Sequence, residues 1–435
     1  MSDNMGTAII ELNDSGHCCR NSKGEVFVSP GYAFLTNKGI DTGDIARLKS
    51  YLSPQQSFNQ FWRQLSLSPL AHSTNKVRHN GDLAFQQLLD LHKELGHPNE
   101  VIFAIPGSFD REQLSIILGL IQATPFKSIG FVDSAVAAVS QLKFTEKSNS
   151  KKYLVHLDIQ LHQIVFTRLL VSEHYKERVH VEVVPDVGLK NFYDDWAKYI
   201  ANKFIQEYRY DPLHTAKGEQ QLYNLLPGWI KELCAKKEVT IVLDSPQGNY
   251  QLILNLDDLL TRNNEKIAQL KQKISAIVLE GDLLFASHRT RLLPGLTEQL
   301  GKFHILPENS AVLGCLQRLN DIKQDHEDIF LITKIANQDL SAVEEFSQSP
   351  ENTPTHVLYQ NTALAIEKIL YISIHGTILA FSQGHITKTF LSYKNGKVYL
   401  TTKEIDLAKK YQNNPLKIGE SITIRSQSFQ LIKVI

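Results

Sequence analysis

The stretch VIFAIPGSFDREQLSIILGLIQATPFKSIGFVDSAVAAVS (101–140) carries the clearest structural signal in the chain. Its apolar residues at 101–105 predict a strand, which a proline and a glycine end. Residues 110–122 follow a helical pattern with acidic and amide side chains in the first turn, as at a helix N-terminus. Residues 129–132 predict a second strand, and residues 133–142 an alanine-rich helix. Strand, helix, strand and helix in this order are typical of an α/β layer architecture.

The segments on either side continue this mixed pattern. Toward the N-terminus, the sequence predicts strands over 7–12 and 25–28 and an amphipathic helix over 82–95. Residues 145–152 are polar and basic, which indicates a connection between two subdomains. Beyond them, the predicted elements are strands over 153–172, 179–184, 239–243, 251–254 and 276–279, and helices over 191–208, 220–236, 257–274 and 292–300.

The character of the chain changes after residue 325. Residues 341–356 are polar and contain two prolines, which is typical of a linker. Residues 357–435 are rich in short alternating strands, with a hairpin signal at Asn395-Gly396 and a closing hairpin over 421–435. We expect a separate small β-domain of the sandwich or barrel type.

Composition excludes several classes of protein. The 435 residues include 46 lysines and arginines against 46 acidic residues, for a formal net charge of +0. This balance provides no general attraction to nucleic acid or to an anionic membrane surface. The hydrophobic fraction of 42% is too high for wholesale disorder, and at roughly 100–200 residues per domain the chain predicts about two to four domains.

The cysteines and the N-terminus predict a cytoplasmic protein. Cys18 and Cys19 are adjacent and cannot bridge each other easily, and Cys234 and Cys315 are isolated, so we expect reduced thiols. His17 with its two neighbouring cysteines is the alternative, half of a metal site, but no second pair at ligand spacing accompanies it. No secretory signal pattern and no run of about 20 apolar residues is present, so we expect no membrane span.

Three stretches resemble the superfamily of actin, sugar kinases and seventy-kilodalton heat-shock chaperones, and most closely its chaperone branch. The first is 101–140; the second is DVGLKNFYDDWAKYIANKFIQEY (186–208); the third combines ISAIVLEGDLLFASHRTRLLPGL (274–296) with LPENSAVLGCLQ (306–317). They occur in the family's order. The resemblance implies a two-lobed, actin-like (ribonuclease-H-like) α/β fold and then the β-domain. The boundaries that we expect are 1–152 for the first lobe, 153–325 for the second, 326–356 for the linker and 357–435 for the β-domain.

The resemblance also implies an ATP site between the lobes. In active members two hairpin turns hold the phosphates, one carboxylate orients water, and acidic residues hold magnesium. Carried onto this chain, the catalytic positions are Asp133, Asp158 and Arg63, although the alignment slips by a residue at Arg63. The cofactor-binding positions are Glu11, Asn13, Asp14, Ser15, Gln160, His162, Gly281 and Asp282. Glu11 and Asp158 are also the implied metal ligands.

Both phosphate turns depart from the family's pattern. Where the first should read Asp-x-Gly-Thr, this chain has Glu-Leu-Asn-Asp-Ser (11–15), and the second, Asp-Ile-Gln-Leu-His (158–162), has no glycine. We expect Ile159 and Leu161 to place apolar bulk where phosphate oxygens should lie. Losing three charged hydrogen bonds of about 1.5–3 kcal/mol each would weaken binding by a factor on the order of 10³ or more.

The sequence leaves two functions open. The first is a chaperone-like or scaffolding protein that has weak or no ATP hydrolysis and binds a protein partner through the β-domain. The second is an active Mg-ATP-dependent ATPase whose lobe closure controls that domain. Two interpretations of Glu11, Asp133 and Asp158 also stay open. These acids either retain weak affinity for a cation or are strand-end and helix-cap residues, and Asp133 suits an N-cap. His156 and His162 are either bases or structural hydrogen-bonding residues.

Overall fold

The computed structural model describes residues 7–70, 77–142, 152–245, 247–324, 329–337 and 354–433, the last range with gaps at 361, 367–368, 376–377, 383–386, 395–396, 403, 405–406, 408–410, 412–413 and 426. The chain forms two compact units, Met1–Ala342 and Val343–Ile435. The predicted connection before Lys152, the turn at Asn395-Gly396 and most of the predicted linker lie outside the described residues.

The first half of unit 1, residues 7–142, contains eight strands and four helices among its described residues. They are β1 (Ala8–Glu11), β2 (His17–Arg20), β3 (Val26–Ser29), β4 (Ala33–Leu35), β5 (Ile40–Thr42), α1 (Gly43–Arg47), β6 (Ser57–Phe58), α2 (Asn80–Glu94), β7 (Glu100–Ile105), α3 (Arg111–Gln122), β8 (Lys127–Asp133) and α4 (Ser134–Ser140). A short 3-10 helix spans Pro54–Gln56.

The second half, residues 152–324, with the segment that follows it, contains the remaining elements described in unit 1. They are β9 (Lys152–Ile159), β10 (Gln163–Val171), β11 (Tyr175–Pro185), α5 (Leu189–Tyr208), α6 (Ala216–Lys236), β12 (Glu238–Ser245), β13 (Gly248–Asn255), α7 (Leu256–Arg262), α8 (Asn264–Ile277), β14 (Leu283–Ala286), α9 (Leu296–Leu300), β15 (His304–Ile305), α10 (Ser310–Gln317), α11 (Leu319–Ile322), β16 (Leu331–Ile332) and β17 (Lys334–Ala336). A 3-10 helix spans His288–Leu292.

Each half is built on a six-stranded sheet of similar design. The first sheet has the order β16-β8-β7-β1-β2-β3 and the second the order β15-β14-β9-β10-β11-β17. In both, an antiparallel meander of three strands (β1–β3 or β9–β11) is extended from its first strand by parallel strands. The predicted mixed α/β class is therefore confirmed. The hairpin turns after β1 and after β9 occupy equivalent positions in the two sheets.

Local sequence signals explain where the helices begin. Asp110 accepts a hydrogen bond from the Gln113 backbone N–H and so caps α3, and the Asp133 carboxylate caps α4 in the same way. The strand predicted over 276–279 is wrong, because α8 continues to Ile277. Its buried side chains keep helical spacing to the end, so these residues complete the apolar face of the helix. The strand comes later, as β14.

Two helices in equivalent positions pack between the sheets. α4 follows β8 and α10 follows β15, and both contribute to one buried cluster with residues of the two sheets. Their approach is so close that a Cβ at Gly314 would lie 1.9 Å from the Ala137 carbonyl oxygen. Glycine is required at this contact because it has no side chain.

The segment predicted as a linker begins with ordered strands. β16 pairs with β8 in the first sheet, and β17 pairs with β11 in the second. The linker prediction over 326–356 is therefore wrong for residues 331–336. Ile335 is buried in the cluster between the sheets, which explains why this segment is held there.

Unit 2 consists mainly of β-strands in its described residues. Its strands are β18 (His356–Tyr359), β19 (Thr362–Ala365), β20 (Ile369–His375), β21 (Ile378–Ser382), β22 (Phe390–Lys394), β23 (Lys397–Thr401), β24 (Ser421–Ile424) and β25 (Gln427–Ile432). They form two four-stranded antiparallel sheets, β19-β18-β25-β24 and β21-β20-β22-β23, that share one apolar core. The closing hairpin predicted over 421–435 is present as β24 and β25.

Candidate functional site

The centre of unit 1 is the meeting point of two hairpin turns. The first, Asn13–Gly16, joins β1 to β2 and is closed by a 2.9 Å bond from the Gly16 N–H to the Asn13 carbonyl. The second, Gln160–Gln163, joins β9 to β10 and is closed by a 2.9 Å bond from the Gln160 N–H to the Gln163 carbonyl. Both turns lie wholly within the described residues, and no residue in either has a positive φ. They therefore form without the glycine-dependent geometry of phosphate-binding turns.

Direct hydrogen bonds join the two turns. The Asn13 side-chain amide donates to the Asp158 carboxylate and to the Ile159 carbonyl, both at 2.9 Å. The Leu161 backbone N–H donates to the Asp14 carboxylate at 2.6 Å, and the Ser15 hydroxyl donates to the Ile159 carbonyl at 3.2 Å. Polar groups that would face phosphates in an ATP site thus bind one another across the boundary between the two halves.

Arg289 lies beside this turn pair. Its guanidinium donates to both oxygens of Glu11, at 2.8 and 3.0 Å, and to the Gly16 carbonyl at 3.0 Å. The same group lies 3.7 Å from the Asp158 carboxylate. Arg289 is only 5% exposed. Burial lowers the pKa of Arg289, but the carboxylates of Glu11 and Asp158 outweigh this effect and hold the pKa above its ordinary value. The two implied metal ligands therefore share a permanent protein cation.

Asp14 differs from its neighbours in lacking a charged partner. Its Oδ1 accepts the Leu161 N–H, whereas its Oδ2 is buried without a hydrogen-bond partner. Burial raises the pKa of Asp14 from 3.8 to about 6, and the nearby Asp158 carboxylate acts in the same direction, whereas Arg63 opposes it. The surroundings of Asp14 therefore disfavour the charged form of its carboxyl group.

The histidines at this centre are neutral. Burial lowers the pKa of His17 to about 3 and the pKa of His162 to about 4. His162 Nε2 lies 2.9 Å from the Asn59 carbonyl and 3.1 Å from its amide oxygen, so this nitrogen carries the proton and donates. This geometry matches the interpretation of His162 as a structural hydrogen-bonding residue. His156 is buried on β9, and neither ring nitrogen has a hydrogen-bond partner.

Asp133 is fully engaged in structural bonds. Its Oδ1 accepts the backbone N–H groups of Ala135 and Val136 at 3.0 and 3.1 Å, which caps α4. Its Oδ2 accepts the Arg178 guanidinium at 2.8 Å. Burial raises the pKa of Asp133, and the Arg178 charge opposes that rise. The arrangement matches the capping role rather than the orientation of a water molecule.

The two apolar residues of the second turn point in different directions. Ile159 is buried in the core of the second half. Leu161 crosses to the first half, where it packs with Tyr32, Phe34 and Ala46. The expectation that both side chains fill phosphate space is therefore wrong for Ile159, because alternation along β9 turns it into its own sheet's core. Leu161 occupies the boundary between the halves.

Arg63 and Gln160 lie at the rim of the turn pair. The Arg63 guanidinium pairs with Asp186 at 2.8 Å. The Gln160 amide accepts the Gln163 side-chain N–H at 2.6 Å and donates to the Ser108 hydroxyl at 3.1 Å. These side chains fasten the turn to its surroundings, and the structure gives Arg63 no contact with Asp133 or Asp158.

Gly281 and Asp282 do not belong to this centre. They precede β14, and because β14 runs parallel to β9, its opposite end reaches the turn pair. Asp282 instead pairs with Arg168 through two 3.1 Å bonds. Their assignment to a cofactor site is therefore wrong, since it followed from placing the strand seven residues too early. The residues that reach the centre after β14 are those of the 3-10 helix that carries Arg289.

Sequence reasoning missed Arg289, Arg178 and Asn59. The run His-Arg-Thr-Arg (288–291) follows the apolar run Leu-Leu-Phe-Ala (283–286) after a single serine, a signal that could have indicated basic residues at a strand's carboxyl end. For Arg178 and Asn59 no local signal exists, because each meets its partner only through the packing of the two halves.

The centre does not fit Mg-ATP. Both oxygens of Glu11 are taken by Arg289, and one oxygen of Asp158 is taken by Asn13. The cavity next to the turns, lined in part by Asp14, His17 and Trp62, measures about 10 Å³. Ligand pockets usually measure about 300–1,000 Å³. Among the described residues, no group of three or more His, Cys, Asp or Glu side chains is placed to hold a metal ion.

No protein-family model matches the chain, and no curated protein matches it significantly. Of the helices that the structure describes, none combines the length and apolar character needed to span a bilayer.

Proposed function

We propose that unit 1 is a divergent actin-like, heat-shock-chaperone-type body that does not use ATP, and that the protein is a cytoplasmic scaffold or chaperone-like binding module. Unit 1 serves as a rigid platform, and unit 2 supplies the contacts with a protein partner. The observation that carries this proposal is the buried Arg289 between Glu11 and Asp158, in the place where the resemblance implies a magnesium ion.

The design of the two sheets supports the actin-like part of the proposal. Each half has a three-stranded meander extended by parallel strands, with a hairpin turn at the same point and a helix between the sheets in the same place. Such a repeated design brings two turns face to face, which is the arrangement that two phosphate-binding turns require. The architecture therefore supports descent from a nucleotide-binding body even though its polar groups no longer suit a nucleotide.

The charges at the centre support the loss of ATP use. A carboxylate already held by a bidentate guanidinium at 2.8 and 3.0 Å would have to give up this pair before it could bind a metal ion. A triphosphate would also have to separate Asn13 and Asp14 from the second turn. Each step breaks buried polar bonds, so nucleotide binding is opposed by the folded structure itself.

Thermal denaturation of the full chain tests this proposal. We expect the melting temperature to stay unchanged in millimolar Mg-ATP or Mg-ADP, with magnesium tripolyphosphate as a control for unspecific anion effects. A ligand at 100 times its dissociation constant would stabilise the protein by about 2.7 kcal/mol. A saturable increase with Mg-ATP but not with tripolyphosphate would therefore disprove the proposal.

The role of unit 2 is tested by its removal. We expect a partner that is recovered with the full chain to be lost from a chain that ends after Ala342, provided that the shortened chain still melts cooperatively. Equal recovery of the partner by both chains would move the binding surface to unit 1. Substitution of the half-exposed Tyr393 by serine in the full chain tests the same assignment without truncation.

A further inference from the structure

The two halves of unit 1 are joined near the surface as well as at the centre. Tyr51 of the first half stacks on Tyr223 of the second, with ring centroids 4.0 Å apart and an interplanar angle of 14°. Beside them, the Gln220 side chain accepts the Tyr51 backbone N–H at 2.8 Å and donates to the Arg47 carbonyl at 3.2 Å. We call this group, formed by Arg47, Tyr51, Gln220 and Tyr223, the outer contact.

Lys190 connects the outer contact with the turn pair. Its ammonium nitrogen lies 5.7 Å from the ring centroids of both Tyr51 and Tyr223, and its backbone N–H donates to the Leu161 carbonyl at 2.8 Å. Asp194 holds this arrangement in place, since it accepts the Lys190 ammonium and the Tyr223 hydroxyl, each at 2.7 Å. A continuous set of bonds thus runs from the surface of the boundary to the second turn.

Contacts at three places therefore cross the boundary between the halves. Arg289 reaches Glu11, the two turns bind each other, and the tyrosine stack lies nearer the surface. Apolar packing of Leu161 reinforces the contact between the turns. All of these contacts are made by the protein's own groups, so closure of the boundary needs no ligand to bridge it.

We propose that the outer contact is a latch that favours the closed arrangement of the two halves of unit 1 without a ligand, and that its loss makes opening of the boundary more frequent. This inference rests on the proposed function in treating the boundary as a former nucleotide cleft. In a nucleotide-driven protein, closure depends on differential binding of the ligand to the closed state. In this protein, the Tyr51–Tyr223 stack, Gln220 and Lys190 stabilise the closed state relative to the open state in place of a ligand.

Hydrogen exchange at the Leu161 amide reports opening directly. This N–H is bonded across the boundary to Asp14, so it exchanges only when the two turns separate or the unit unfolds. The experiment uses the full chain without nucleotide and compares the wild type with Tyr223→Leu and Gln220→Ala. The matched control is Tyr208→Leu, which removes a tyrosine stacked on Tyr250 at 4.5 Å and 14° but lies entirely within the second half.

We expect strong protection of the Leu161 amide in the wild type. Tyr223→Leu and Gln220→Ala should each increase its exchange rate about tenfold, which corresponds to the loss of one aromatic stack or two hydrogen bonds. Tyr208→Leu should leave that rate unchanged. Asp194 keeps its bond to Lys190 in the Tyr223 variant, so the variant retains a partner for this carboxylate.

Three results would overturn the latch. They are rapid exchange at Leu161 in the wild type without nucleotide, an unchanged exchange rate in Tyr223→Leu and Gln220→Ala, and an equal increase in the Tyr208 control, which would mean a general loss of stability. The proposed function fails on a different result, a melting temperature raised by Mg-ATP. Protection of Leu161 combined with such a rise would leave the latch intact and overturn only the proposed loss of ATP use. Rapid exchange without any effect of ATP would overturn the latch but leave the proposed loss of ATP use intact.

Discussion

The chemistry of the guanidinium explains how one side chain satisfies the buried acids at the centre of unit 1. Arginine has five N–H donors in a planar fork, and Arg289 uses it to satisfy both Glu11 oxygens and the Gly16 carbonyl. Magnesium would require near-octahedral oxygen ligands at about 2.0–2.1 Å. Because the arginine is part of the chain, its charge is always present at this centre, whereas an ion would depend on its concentration.

Removal of Arg289 should be strongly destabilising. Arg289→Ala leaves Glu11 buried without its partner, and breaking a buried ion pair costs about 3–5 kcal/mol. The double variant Glu11→Leu with Arg289→Leu should recover much of that loss, since no charge of the pair remains uncompensated. The measurement is the free energy of unfolding in urea.

A surface pair provides the control for this prediction. Arg78 pairs with Asp82, but the Arg78 side chain is 70% exposed, so Arg78→Ala should lower the free energy of unfolding far less than Arg289→Ala does. If Arg289→Ala cost no more than this control, the buried pair would not be a structural element of the centre.

Asp14 gives unit 1 a specific dependence on pH. Its pKa of about 6 in the folded protein lies above the ordinary value of 3.8, so the folded state holds this proton more tightly than the unfolded chain. The resulting stabilisation is fully present below pH 3.8 and is lost as pH rises through about 6. Asp14→Asn keeps an acceptor for the Leu161 N–H without the charge. Relative to the wild type, its stability should therefore increase between pH 4 and pH 8.

Urea unfolding of the two proteins between pH 4 and 8 measures this effect. The low pKa values of His17 and His162 act in the opposite sense, with stability present above pH 6.5 and lost toward acid. Both histidines are present in both proteins, so the difference between the two curves isolates Asp14. A difference that did not grow between pH 4 and 8 would contradict the assignment.

At the scale of elements, the approach of α4 to α10 sets how closely the two sheets pack. Gly314→Ala would place a Cβ 1.9 Å from the Ala137 carbonyl oxygen, so one helix must move. Overpacking of this kind typically costs about 1–3 kcal/mol, and we expect at least 2 kcal/mol here. Thermal or urea unfolding of the full chain checks the value.

Another helical glycine supplies the comparison. A Cβ at Gly119 in α3 meets nothing within 4 Å, so Gly119→Ala should raise stability by about 0.5–1 kcal/mol through helix propensity alone. Equal effects at Gly119 and Gly314 would show that the α4–α10 approach is not restrictive.

Elements with strong local signals were predicted well from the sequence. The helix at 110–122 and the strands around it were found because the apolar spacing and the capping residue Asp110 agree. The strand near 280 was placed wrongly, because an amphipathic helix end and a short apolar strand look alike over four residues. Residues 331–336 were missed since two- and three-residue strands carry no periodic pattern.

At the scale of the whole molecule, the centre of unit 1 combines residues from distant parts of the chain. Glu11 and Arg289 are 278 positions apart, and Asp14 and Leu161 are 147 apart. The equivalent positions of the two turns in the two sheets explain why they meet. Arg289 with Glu11, the two turns, and Tyr51 with Tyr223 each join the two halves of unit 1 through the protein's own side chains and backbone.

The order of apolar and polar residues, the caps and the turn signals were enough to establish the mixed α/β class, most helices and strands, and the departure of both central turns from the glycine pattern of phosphate-binding turns. Those features depend on interactions between residues near each other in sequence, which a pattern can reveal. The partners of Glu11, Asp14 and Asp133 could be identified only in the folded structure, which brings distant parts of the chain together. Which charge neutralises a buried carboxylate depends on how separate sheets pack, and no local pattern encodes that distance.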